Sequence, residues 1–68
     1  MEFSDFELSL IFILLETKIH DIRFNITNLD FNKDFISLTE YEKLKNENIN
    51  ALTCTEQLKN KIEKYLEE

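Results

Sequence analysis

The chain has 68 residues, 14 of them acidic and 8 basic for a formal net charge of −6, and it contains no Gly and no Pro. So short a chain is one domain at most, and a folded monomer of this size buries only roughly 60% of the surface its unfolded chain exposes. The acidic balance repels nucleic-acid backbones, and the lack of turn-formers and helix-breakers argues against a many-stranded β fold. The single cysteine, Cys54, leaves no disulfide to staple a thin core.

The first helical start signal is FSDFE, residues 3–7. Ser4 is placed to cap the third helical N–H while Glu7 reaches back to the Ser4 N–H, and Phe3 can pack on Leu8 as a hydrophobic staple. Asp5 and Glu7 suit the positive end of the helix dipole. From there Leu8, Phe12, Leu15, Ile19, Ile22, Ile26 and Leu29 alternate in fours and threes, a heptad seam that predicts a helix over about 5–29 and a near-parallel helical partner. Leu10, Ile11, Ile13 and Leu14 lie off that seam, so the first half of the helix is apolar almost all the way round. A lone hairpin leaves such a surface uncovered. The expectation is therefore a homodimer, a four-helix bundle built from two hairpins, with Leu8, Ile11, Phe12, Leu15, Ile19, Ile22 and Ile26 at the oligomer interface. LSLIFILL, residues 8–15, is too short to span a bilayer and follows acidic residues instead of the basic ones of a signal peptide. No membrane association and a cytoplasmic location are expected.

DFNKDFIS, residues 30–37, breaks the rhythm and carries the turn-prone Asp30, Asn32 and Asp34, which puts the connection at about 30–38. Phe31, Phe35 and Ile36 are expected to fold back over the end of the helix pair. LTEYE, residues 38–42, repeats the start formula, with Thr39 as cap and Glu42 completing the box, and predicts a second helix over about 40–66. Its apolar face is read as Tyr41, Leu44, Ile49, Leu52, Leu58, Ile62, Tyr65 and Leu66, interrupted by Asn48 and Thr55. Thr53 and Glu56 satisfy a further capping box, so the segment is either one long helix, with or without a kink, or a helix followed by a third. The fold class is all-α: two long helices of matching length in an antiparallel hairpin.

Chemistry is sparse. His20 lies beside the seam with Glu16 and Asp21 nearby, and Cys54 has no cationic neighbour within a helical turn to lower its thiol pKa. With no paired ligand spacing between them, no metal is expected, and no nucleophile, base and oxyanion set or phosphate loop points to an enzyme or a cofactor. Glu40, Glu42 and Glu47 give an acidic spacing that interleaved lysines dilute as a phosphate mimic. Together with Phe31 and Phe35 they are the candidate partner-binding residues.

Two resemblances carry the functional expectation. TEQLKNKIEKYL, residues 55–66, following LLETKIHDIR, residues 14–23, resembles the sporulation aspartyl-phosphate phosphatases of low-GC bacteria, small two-helix hairpins with a Ser-Gln-Glu-Leu-Asp motif. Here Thr55, Glu56, Gln57, Leu58 and Lys59 stand at the matching positions, so the motif's final acid is replaced by Lys59. That resemblance implies a phosphorelay regulator by fold, without the acidic group its activity needs. The Ser-capped Ile- and Leu-rich helix followed by LTEYEKLKNENI, in a composition rich in Ile, Lys and Asn, is also similar to small acidic helical proteins encoded by phages of such bacteria. This second likeness implies a non-enzymatic protein that binds and inhibits a bacterial defence or regulatory protein in the host cytoplasm. A structural oligomerisation module is the third reading.

Overall fold

The computed structural model describes residues 3–67. Two helices, α1 (Asp5–Phe31) and α2 (Leu38–Glu67), are joined by a single 3-10 turn, Lys33–Phe35. The protein is an all-α hairpin, and no strand occurs among the described residues. It is a rod of 46 × 16 × 14 Å. Its radius of gyration of 15.2 Å compares with roughly 11 Å for a compact domain of this length.

The start of α1 follows from its sequence. The Ser4 hydroxyl accepts from the Glu7 N–H at 3.1 Å, and the Ser4 N–H donates to Glu7 Oε1 at 2.9 Å. Both halves of the capping box are therefore made. The helix runs two residues past the expected end and stops at Asn32, whose N–H and side-chain Nδ2 both donate to the Asn28 carbonyl, at 3.0 and 2.8 Å. Ile36 then turns the backbone extended and delivers Ser37 to the start of α2.

The cap of α2 corrects the sequence reading. Ser37, not Thr39, occupies it: its hydroxyl accepts from the Glu40 N–H at 3.2 Å and its carbonyl accepts the first helical bond, from the Tyr41 N–H at 2.9 Å. The repeated formula is thus SDFE and SLTE, residues 4–7 and 37–40, two residues upstream of the expected box. The first hydroxyl residue after an extended backbone takes the cap, because Thr39 is already inside the first turn. Beyond it α2 is one unbroken helix. Thr53 and Thr55 donate to the carbonyls of Ile49 and Ala51, at 3.0 and 2.6 Å, and so bond within the helix instead of opening a new one.

Cross-helix pairs set the register. Asp30 meets Lys45 at 3.1 Å and Glu16 meets Lys59 at 3.8 Å, a step of fourteen residues down α1 for fourteen up α2, as an antiparallel pair requires. All seven seam positions of α1 are buried or half-buried, with Leu8, Ile19 and Ile22 fully so. On α2 the inner face differs from the expected one. Tyr41, Lys45, Asn48, Leu52, Thr55, Lys59, Ile62 and Leu66 lie inward, again in fours and threes, whereas Ile49, Leu58 and Tyr65 are exposed. Asn48 and Thr55 do not interrupt the seam; they belong to it. Only Ile62 on α2 is fully buried, so the core is narrow and half of one wall is polar.

Candidate functional site

The seam of α1 packs against α2 of the same chain. Leu8, Ile19 and Ile22 are consequently closed off inside the hairpin, and Ile11, Phe12, Leu15 and Ile26 are half-covered. For Leu8, Ile19 and Ile22 the expected interface role is corrected: they are buried within the single hairpin and hold its two helices together. Of the seven expected residues all but Ile11 are in heptad register, which makes them equally suited to a helix of their own chain.

The opposite face of α1 holds what sequence reasoning passed over. Phe6, Leu10, Ile13, Thr17, His20, Phe24, Thr27 and Phe31 repeat the four-and-three spacing of the inner seam, and all are exposed. None carries Asp, Glu, Lys or Arg. Helical periodicity sets this second seam about 160° round the helix from the first. Its signal was present in the sequence as the off-seam residues Leu10 and Ile13, but Phe24 and Phe31 were not joined to them. The threonines bond internally, Thr17 to the Ile13 carbonyl at 3.1 Å and Thr27 to the Arg23 carbonyl at 3.0 Å, which satisfies their hydroxyl donors within the helix. The corresponding face of α2 is polar apart from Cys54, with Lys43, Glu47, Asn50, Gln57, Lys61 and Lys64 exposed.

At the turn end, Phe31 and Phe35 stand 84% and 85% exposed and do not fold back over the helix pair; Ile36 alone is half-buried. The Asn32 bonds to Asn28 end α1 in a tight turn that leaves the two aromatic rings on the outside. Beside them is an open cleft of about 320 Å³ lined by Asn25, Asn28, Asn32 and Asn48 around Leu29, Ile36 and Leu44. Asn48 spends its Nδ2 on the Leu44 carbonyl at 2.8 Å. The Tyr41 hydroxyl donates to Asp30, and Lys45 donates to both, at 3.1 Å to Asp30 and 3.0 Å to the Tyr41 oxygen. The Asp30 carboxyl is thereby held below the usual aspartate range, by Tyr41 first and Lys45 second, and the Lys45 ammonium is raised by Tyr41 and then Asp30.

Of the acidic candidates, Glu40 and Glu47 are one heptad apart and share a stripe, while Glu42 lies round the helix from them. The three do not converge. Leu38–Glu67 contains six acidic and five basic residues, so α2 is nearly neutral, and α1 carries the larger charge imbalance. His20 sits in the outer seam of α1, and Cys54 is exposed on the outer face of α2. No group of three metal-ligating side chains occurs among the described residues, and no helix there is long and apolar enough to cross a membrane.

Comparison with protein-family models, with curated proteins and with solved structures finds no match.

Proposed function

We propose that this hairpin works by association, binding other protein surfaces in fixed stoichiometry without chemistry of its own. The observation that carries the reading is the outer face of α1, which exposes large apolar side chains in continuous helical register. Together with Phe3 and Leu14, five of them present roughly 900 Å² at about 200 Å² per fully exposed large side chain, beyond the 300–600 Å² or so typical of a monomer's largest patch. The chain as a whole exposes 5491 Å², against roughly 4,500 Å² for a compact monomer of its mass.

The likeness to small acidic phage proteins supplies the most concrete version: an inhibitor from a phage or mobile element that occupies a bacterial defence or regulatory protein. The turn end would meet that target, with Phe35 and Leu38 as apolar anchors and the amide-lined cleft as hydrogen-bonding surface. Exposed aromatics beside polar groups are what recognition sites use. The phosphorelay reading finds no support in the geometry, because Lys59 is turned inward on Glu16 at 3.8 Å where that family has an acid.

The test is affinity purification of the tagged chain from a low-GC bacterial host, with Phe35→Glu as comparison. A partner recovered at a fixed molar ratio with the parent and lost with Phe35→Glu is the expected result. Recovery of nothing at fixed ratio, or identical recovery with both chains, overturns the assignment.

A further inference from the structure

We infer that the outer face of α1 is occupied by the same face of a second copy, its α1 running antiparallel. The inference rests on reading that face as an association surface and adds its occupant.

A twofold axis between Thr17 and His20 makes the seam self-complementary. Phe6 then layers on the partner's Phe31, Leu10 on the partner's Thr27, Ile13 on the partner's Phe24, and Thr17 on the partner's His20. Six of the eight layers in the full interface bring together at least one large apolar side chain and an apolar or methyl-bearing one. The threonine hydroxyls are already satisfied by their own helix, so burying them strands no donor. The five large apolar side chains of the seam offer roughly 650 Å² per copy, and the exposed Thr17, His20 and Thr27 between them add to it, on the scale of the roughly 800 Å² per partner of a stable interface.

Charge selects the orientation. In a parallel pair the residues flanking the seam would set Glu16 against the partner's Asp21, twice. In the antiparallel pair they set Glu16 against the partner's Arg23, twice. Both groups are still well exposed while held by their own α2, Glu16 on Lys59 at 3.8 Å and Arg23 on Glu56 at 3.6 Å. A second opposite charge extends each pair into a network. Such rim pairs give orientation more than affinity.

Because the two seams of α1 lie on nearly opposite sides, the assembly is a row of four helices, α2 and α1 followed by the partner's α1 and α2, and not the closed bundle expected from the sequence. The turn ends, with Phe35 and the amide-lined cleft, fall at opposite ends of the row and stay open.

The test is sedimentation equilibrium of the full chain across the micromolar range, beside Ile13→Glu and Phe24→Glu. These side chains are 56% and 62% exposed in the hairpin, so both variants should keep the parent's helical circular dichroism. The expected result is a parental dimer whose dissociation constant rises at least roughly 30-fold in either variant, the effect of losing a central anchor. In a Cys54→Ser background, mixed Ile13→Cys and Phe24→Cys chains should cross-link with each other and not with themselves. A monomeric parent that instead floats with phosphatidylcholine vesicles would overturn the second copy while leaving the face an association surface. A dimer indifferent to both Glu variants would overturn the occupant and the association surface together. Self-cross-linking of Ile13→Cys chains would overturn the antiparallel orientation.

Discussion

Tyr41 and Asp30 lock the hairpin where the chain reverses: the Tyr41 hydroxyl, in the first turn of α2, donates to the Asp30 carboxylate near the end of α1. Lys45, one turn further along α2, donates to both of them. The ammonium also lies 5.4 Å from the Tyr41 ring centroid. This cluster holds the turn end, where the apolar seam is weakest.

The cluster makes stability depend on acid. Asp30 is held below its unfolded value by Tyr41 and Lys45, and Glu7 is held low by the Ser4 backbone N–H and then its hydroxyl. A carboxyl depressed on folding stabilises above its unfolded pKa and loses that contribution as pH falls through the folded one. Melting temperature should therefore be flat near neutrality and decline below about pH 4. Asp30→Asn should flatten part of that decline. The effect is modest, since both groups are solvated and screened, and added salt should shrink it. A parent and an Asp30→Asn variant with superimposable acid profiles would exclude the role given to Asp30.

Capping at Ser37 separates two otherwise similar hydroxyl residues. Ser37→Ala should destabilise by about 1 kcal/mol, a melting shift of roughly 4–8 °C in a domain this small. Thr39→Ala should change little. Thermal melts of the two variants decide the matter, and the reverse ranking would restore Thr39 as the cap.

Ile22 is among the most buried side chains, at 2% exposure. Ile22→Asp strands an unpaired carboxylate between the helices, at a cost of about 3 kcal/mol or more, comparable to the whole stability available to a core of this size. Loss of helical circular dichroism at 25 °C is the expected outcome. A cooperative melt like the parent's would mean that Ile22 does not face α2.

The polar half of the α2 seam offers room for improvement. Asn48 is half-buried with its amide bonded to its own helix, so Asn48→Leu should stabilise the hairpin by about 1 kcal/mol through added apolar burial. Ile49→Lys and Leu58→Lys, outside the seam, should stay within about 0.5 kcal/mol of the parent. Denaturant titration of the three variants checks the rotation of α2: a destabilised Asn48→Leu alongside a collapsed Leu58→Lys would place Leu58 inside instead.

By itself the sequence determined the all-α class, the capping box at Ser4 and the inner seam of α1. These are local facts: a cap needs residues three apart, and seven apolar side chains in strict register leave one rotation for the helix. It did not determine which side of α2 faces inward. The apolar residues of α2 spread over a wide arc, and no stripe in strict heptad register is apolar throughout. Tertiary structure chose between them, because the short turn and the Asp30, Tyr41 and Lys45 cluster fix the rotation of α2 and bring Asn48, Thr55 and Lys59 inward with it. Glu16 and the Phe12 ring, 5.3 Å from the Lys59 ammonium, make that inward lysine tolerable. The outer seam of α1 was spelled in the sequence as well, yet only the hairpin shows that it stays uncovered: periodicity names the faces of a helix, and packing decides which one is left to solvent.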